Sequence, residues 1–219
     1  MRRWAWLNGL ALVTFGAFIV FAVLQSIFGW HVRNQALAEN GALTTSYWRY
    51  LSSGHFAEAI FENWESEFLQ MGSYVLLTAY LVQRGSPESK SFDEKDRTGD
   101  EPESAGPGSP RWSRARGLGQ LLYRNSLSLV LFILFGLSFL GHLLGGTAEF
   151  NEERRLESSE PPVSVWQFLW TSQFWFQSMQ NWQSEFLAVG CLIVLSVFLR
   201  QHGSPESKPV TAPNRHIGD

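Results

Sequence analysis

Two glutamates stand out as residues that could do chemistry, because each lies at the start of an apolar run in this chain of 219 residues. Glu67 and Glu185 each follow a tryptophan by three positions, or about 4.5 Å of helix rise. A carboxylate inside an apolar segment is costly and commonly binds a proton or a cation. The two residues are therefore candidates for one proton or cation site. The alternative is that each carboxylate only stabilises the positive end of its helix.

His142 is the third candidate for this site. It lies near the end of another apolar run and aligns with Gln25 of the first run. An imidazole titrates near neutral pH, which suits a proton relay, although such a histidine can equally hydrogen-bond a neighbouring loop. No second histidine stands at metal-ligand spacing, and the single cysteine, Cys191, lies within an apolar run. We therefore predict no metal site and no intrachain disulfide.

Sequence motifs for other kinds of chemistry are lacking. The chain contains no phosphate-binding glycine loop, nucleophile elbow or HExxH motif. We therefore predict that the protein is not an enzyme and carries no cofactor. The formal net charge of -3 gives no basic surplus of the kind that nucleic-acid binding needs, so a nucleic-acid partner is not expected.

The chain contains an internal repeat, which organises everything else. Residues 63–90, NWESEFLQMGSYVLLTAYLVQRGSPESK, return 118 positions later as NWQSEFLAVGCLIVLSVFLRQHGSPESK, with 16 of 28 pairs identical. Residues 8–18 likewise align with residues 125–135. Two helices that merely share an apolar composition would not match so closely, so we interpret the chain as a tandem duplication.

Four apolar runs predict four membrane-spanning helices, at about residues 4–28, 64–82, 121–144 and 182–199. The first run follows two arginines, as in a signal peptide, but it is about 25 residues long and its repeat is internal. We expect it to be a retained span. The fold class is thus an all-α membrane protein made of two tandem helical hairpins, with repeats at 1–90 and 120–208.

The two loops within the hairpins are rich in aromatic residues, which favour the membrane–water interface. We predict a broken interfacial helix in each loop, interrupted at Ser53 and at Thr171, and in the second loop Ser164 and Gln167 have the spacing of a capping box. Loops without regular helix are the alternative. Asn63 and Asn181 precede the second and fourth spans and are predicted to cap those helices.

Each repeat ends in the hexapeptide GSPESK. The glycines Gly85 and Gly203, each followed two residues later by proline, are typical of a helix stop, because glycine accepts a left-handed backbone and proline cannot continue a helix. Helix termination alone does not explain why the last three residues, Glu-Ser-Lys, are identical in the two copies. The alternative is that GSPESK is a docking site for a cytoplasmic partner. Residues 91–119, between the repeats, are polar and are predicted to form a disordered linker, as is the tail 209–219.

The charges of the loops predict an orientation. The N-terminus, the linker and the tail carry 13 of the 17 lysines and arginines, and the aromatic loops carry four. Positive flanks stay in the cytoplasm, so both termini should be cytoplasmic and the aromatic loops should face outwards. Such repeats are parallel, related by an axis along the membrane normal.

The duplicated NWxSEFL segments, each leading through an apolar span to GSxESK, resemble a family of bacterial integral-membrane proteins that is known only as a domain of unknown function. The segments NSLSLVLF, SQFWF and NWQSEFLAVG carry the resemblance, which covers nearly the whole chain. It implies a bacterial inner-membrane location and no established activity.

The sequence therefore predicts a multi-pass inner-membrane protein with a structural or partner-binding role. Its partners would be the lipid bilayer and either a second copy or another membrane protein. The alternative is a small transporter or channel component that uses Glu67 and Glu185.

Overall fold

The computed structural model describes residues 2–88, 104–157 and 160–214, and within these ranges the chain is helical without a β-strand. The helices are α1 (Arg2–Leu7), α2 (Gly9–Glu39), α3 (Tyr47–Tyr50), α4 (Gly54–Tyr80), α5 (Leu118–Arg124), α6 (Ser126–Glu157), α7 (Val165–Leu169) and α8 (Ser172–Phe198). A 3-10 helix, Arg111–Arg114, precedes α5. The all-α prediction is confirmed. The linker residues 91–103 and the end of the tail lie outside the described residues.

Three of these helices are long and apolar enough to cross a membrane. They are α2, α8 and residues Ser126–Leu156 of α6, with mean hydropathies of 2.3, 1.4 and 2.3 over their most apolar stretches. Most side chains in those stretches are exposed, as expected of surfaces that face lipid rather than water. The predicted span 64–82 lies in α4, which is not among the three. A count of four spans therefore remains a prediction.

The helices extend further than the apolar runs. α2 continues to Glu39 and α6 to Glu157, while α4 and α8 begin at Gly54 and Ser172, about ten residues before the predicted spans. The prediction that Asn63 and Asn181 cap these helices is wrong, because both lie in the helix interior.

The residues that do cap α4 and α8 are Ser53 and Thr171. Their hydroxyl oxygens accept hydrogen bonds from the backbone N–H groups of Phe56 and Phe174, at 3.3 Å in each case. A side-chain oxygen that accepts from the third residue of a helix is an N-cap. The interruptions predicted at these positions are thus confirmed, and so is the capping box of Ser164 and Gln167 at the start of α7.

The described residues form two compact units. The first comprises Met1–Phe61 and Leu140–Phe174. Within it, the start of α4 packs against the end of α6 at very short range. A Cβ added to Gly145 would lie 2.6 Å from the backbone nitrogen of Glu58, and a Cβ added to Gly141 would lie 2.5 Å from the ring of Phe61. Gly141 and Gly145 are four residues apart, and small residues at this spacing permit such close helix contact.

The second unit comprises Glu62–Phe139 and Trp175–Asp219. Within it, the ring of Trp182 meets that of Phe135 edge to face at 6.1 Å, and its indole N–H donates to Glu65 at 2.9 Å. α4 and α8 end at Tyr80 and Phe198, five residues before Gly85 and Gly203.

Both of these glycines have a left-handed backbone, with φ of 88° and 82°. The predicted conformation is therefore confirmed. Neither glycine lies directly after its helix, where a helix-stop glycine is usually found. Arg200 instead donates to the carbonyl oxygens of Ser196 and Val197 in the last turn of α8 and to that of Leu199 just beyond it. A cationic side chain commonly satisfies helix-end carbonyls in this way.

Candidate functional site

The most distinctive group of side chains in the first unit is a buried charge cluster around Arg33 and Glu149. Arg33 Nη1 donates to Glu149 Oε1 at 2.6 Å, and only 8% and 4% of the two side chains is exposed. α2 and α6 carry them, each in the polar segment that follows an apolar run. An ion pair removed from water must be compensated by good geometry, because the loss of hydration costs several kcal/mol per ion.

The cluster contains more negative than positive charge. Arg33 Nη2 also lies 2.9 Å from Glu152 Oε1, close enough for an ion pair although the angle does not give a hydrogen bond. Glu58 is buried, and its charge and that of Glu149 repel each other. Glu149 Oε2 is buried without a hydrogen-bond partner. Two carboxyl groups therefore contact one guanidinium and a third, Glu58, lies near Glu149, an excess of negative charge that favours a proton or a cation among them.

Glu58 also lies beside His142. One of its carboxylate oxygens is within 4.8 Å of a ring nitrogen of His142, and the imidazole is fully buried. The ring of His142 stacks on Phe174 with centroids 4.7 Å apart. The close approach of α4 at Gly145 positions Glu58 against α6. Glu58 and His142 thus form a pair of titratable groups beside Glu149.

Tyr50 and His55 extend the cluster towards α3. The hydroxyl of Tyr50 lies 3.3 Å from His55 Nδ1. Burial raises the pKa of Tyr50, and the negative charge of Glu149 adds to this effect. Burial lowers the pKa of His55, with a further contribution from the positive charge of Arg33. The neutral forms of both side chains are therefore favoured in the folded protein.

The three residues singled out in the sequence divide between the two units. Glu67 and Glu185 both belong to the second unit, where their charges are close enough to repel each other. Glu67 is exposed and Glu185 is partly buried. His142 belongs to the first unit.

Sequence reasoning missed Arg33, Glu58, Glu149 and Glu65, of which Glu65 is fully buried. A signal was present in the repeat. Arg33 aligns with Phe150, Glu149 with Val32 and Glu58 with Phe176, so three of the four missed residues are charged where the other copy is apolar. Glu65 aligns with the polar Gln183 and gave no such signal.

The fold and the cluster define a class: an all-helical protein with three helices apolar enough for a membrane and a buried charge cluster in the polar extensions of two of them. Within that class the chain belongs to the family described as Domain of unknown function (DUF6766), whose model matches residues 1–219. No curated protein and no solved structure was found to match the chain.

Proposed function

We propose that this protein is a bacterial inner-membrane protein of four spans with a structural or partner-binding role, in which a buried ion pair fastens the outer ends of two tandem helical hairpins. The observation that carries the proposal is the contact between Arg33 and Glu149, since the first residue comes from the first repeat and the second residue from the second repeat. A pair so deeply buried has no room for a substrate between its members, which favours a structural role over catalysis.

Matching contacts in the two repeats support the duplication. Asn34 donates to the carbonyl of Thr45 at 3.0 Å and accepts from its N–H at 2.7 Å. Asn151, 117 positions later, makes the same pair of bonds to Val163, at 2.9 and 2.7 Å. Each asparagine thus ties a long helix to the segment that leads into the next short helix.

Ring packing repeats as well. The ring of Tyr50 covers Gly29, and the ring of Phe168 covers Gly146. Tyr50 and Phe168 are the most buried aromatic residues of α3 and α7, at 1% and 0% exposure. Equivalent rings over equivalent glycines are expected if one hairpin was copied.

Two exposed tryptophans support an interfacial position for the loops. Trp48 and Trp166 occupy equivalent positions in α3 and α7, and 79% and 66% of their surface is exposed. Indole rings prefer the headgroup region of a bilayer, where an apolar body and a polar N–H are both accommodated.

Reporter fusions test this arrangement. Alkaline phosphatase, active only outside the cytoplasm, should be active when fused within residues 41–45 and within 158–163, and inactive when fused at residue 90 or at the C-terminus. A cytoplasmic reporter such as green fluorescent protein should give the opposite pattern. Activity of the first reporter at residue 90 would contradict the four-span arrangement, because it would place the linker outside.

A second candidate function, a proton or cation site, is favoured by the proximity of Glu67 and Glu185. Two carboxylates that repel each other bind a proton or a cation more readily than either alone. The purified protein in liposomes should then conduct protons or monovalent cations, and the Glu67→Gln/Glu185→Gln variant should lose this flux. The matched control is Glu39→Gln, at the exposed end of α2. Flux that is unchanged in the double variant would exclude these residues as the site.

A further inference from the structure

The two copies of GSPESK place an acidic residue of each repeat together in the second unit. Glu88 and its counterpart Glu206 share a hydrogen bond, which together with the charge of Glu88 raises the pKa of Glu206. The hydroxyl of Tyr74 donates to Glu88 Oε2 at 2.5 Å.

The turn that presents Glu88 is firmly held. Ser86 is fully buried, and its hydroxyl lies 3.4 Å from that of Ser196 on α8. A Cβ at Gly85 would lie 2.6 Å from the carbonyl oxygen of Asn214, so the backbone passes there at close range. In the first copy GSPESK thus does more than end a helix, because its serine packs against α8 and its glutamate lies beside Glu206.

A partly open cavity of about 300 Å³ adjoins Glu88. Its walls are apolar and include Leu77, Leu81, Phe186 and Ile193, while Tyr74 and Glu88 provide polar groups. Gly190 also lines it, and a Cβ added there would meet no atom within 4 Å. This volume is at the lower end of the range for small-molecule sites, which are commonly apolar with a few polar groups that fix the ligand.

The charges around the cavity select the ligand. Glu88 is the one charged residue among the described residues that line it. A carboxylate beside an apolar cavity is complementary to a single positive charge on an apolar chain. We propose that this cavity binds a single-chain amphiphilic amine, with its ammonium group at Glu88 and its alkyl chain along Phe186 and Ile193.

Decylamine is a suitable probe. The full-length protein is placed in nanodiscs of phosphatidylcholine, which contain no primary amine, and retention of radiolabelled decylamine is measured against empty nanodiscs. We expect saturable binding, and at least about tenfold weaker binding of decanol, which has the same chain without the charge. Glu88→Gln should weaken decylamine binding by at least about tenfold, because it removes the charge that faces the ammonium.

A second variant tests the cavity without touching the charge. Gly190→Leu places its side chain in the open space and should weaken binding of decylamine by about tenfold or more through exclusion of the alkyl chain. Gly136→Leu is the matched control, since Gly136 is also helical and open, lies outside the cavity lining, and should leave binding unchanged. Intrinsic tryptophan fluorescence verifies that each variant is folded.

The proposal is overturned if decanol binds as tightly as decylamine, or if folded Gly190→Leu retains the affinity of the unmodified protein. Should Glu88→Gln fail to fold, the comparison of decylamine with decanol and the Gly190→Leu variant test the site in its place. Unchanged decylamine affinity in folded Glu88→Gln would likewise reject the site.

Discussion

Arg33 Nη1 and Glu149 Oε1 lie 2.6 Å apart, although 116 positions separate the two residues in the chain. More than nine-tenths of each side chain is shielded from solvent. The pair joins α2 to α6, so the first and second repeats are held together in the first unit by charge as well as by apolar packing. The contribution of such a contact to stability is measured by removing one partner, because the other charge is then left buried alone.

Arg33→Met should destabilise the protein by about 3–5 kcal/mol, since Glu149 would lose its cation in a buried position. The double variant Arg33→Met/Glu149→Met should be less destabilised than the single variant, because no isolated charge remains at position 149. Denaturant unfolding in detergent, followed by tryptophan fluorescence, measures both. A double variant that is less stable than Arg33→Met would contradict this explanation.

The more exposed ion pair of Arg154 and Glu160 provides the control. Its charged atoms are also 2.6 Å apart, but 26% and 52% of the two side chains is exposed. Arg154→Met should lower the free energy of unfolding by no more than about 1 kcal/mol, because water already screens this ion pair in the folded protein.

Gly145→Leu should separate α4 from α6. A Cβ at this position would already lie 2.6 Å from the backbone nitrogen of Glu58, and backbone atoms cannot move aside without shifting the helix. We expect a loss of about 3 kcal/mol or more, or failure to accumulate in the membrane. The melting temperature of Gly136→Leu, whose added side chain meets open space, should stay close to that of the unmodified protein.

Acidification should destabilise the first unit through His55. Burial and the positive charge of Arg33 lower the pKa of His55 from its ordinary value of 6.5, while Glu152 opposes this effect and Tyr50 contacts the ring. The unfolded chain therefore binds the proton more readily than the folded chain. The stability associated with neutral His55 is complete above pH 6.5 and is lost as the pH falls towards the lowered value.

Melting temperatures on both sides of pH 6.5 test this sign. The unmodified protein should lose more stability on acidification than His55→Gln, whose side chain does not titrate. An equal loss in both proteins would assign the acid sensitivity to other groups.

Thr171→Ala should cost about 1 kcal/mol, because the backbone N–H of Phe174 would lose its side-chain acceptor at the start of α8. Asn181→Ala on the same helix should cost little, since Asn181 is an interior position and alanine is the better helix former. Chemical unfolding compares the two variants directly. A larger effect at Asn181 than at Thr171 would contradict the observed helix start.

The sequence was sufficient to predict helices, their interruptions and the capping box, because these depend on composition, on turn-forming residues and on spacing along a few neighbouring positions. It was not sufficient to predict where α4 and α8 begin. Asn63 and Asn181 have the side chain of a cap, but the aromatic segments before them are also helical, because Ser53 and Thr171 satisfy the free N–H groups earlier. Which of several possible capping residues begins a helix depends on whether the segment before it is also helical. The sequence around one such residue does not show this.

The candidate site was less predictable. Glu67 and Glu185 attract attention because they are charged beside apolar runs, whereas Arg33 and Glu149 lie in polar segments where charges are ordinary. Only the packing of α2 with α6 makes the latter two exceptional, and burial of that kind depends on contacts more than 100 positions apart. The pairing of Glu88 with Glu206 was partly predictable. The matching hexapeptides are visible in the sequence, but their proximity in the fold is not.

The ring of Tyr50 over Gly29 and the ring of Phe168 over Gly146 differ by one oxygen atom. That oxygen reaches His55, whereas the phenylalanine of the other half has no atom with which to do so. The two halves are therefore not interchangeable. Two copies of the first would bring together two arginines and no Glu149, and two copies of the second would lack an arginine at the position of Arg33. Each half supplies a charge that the other lacks.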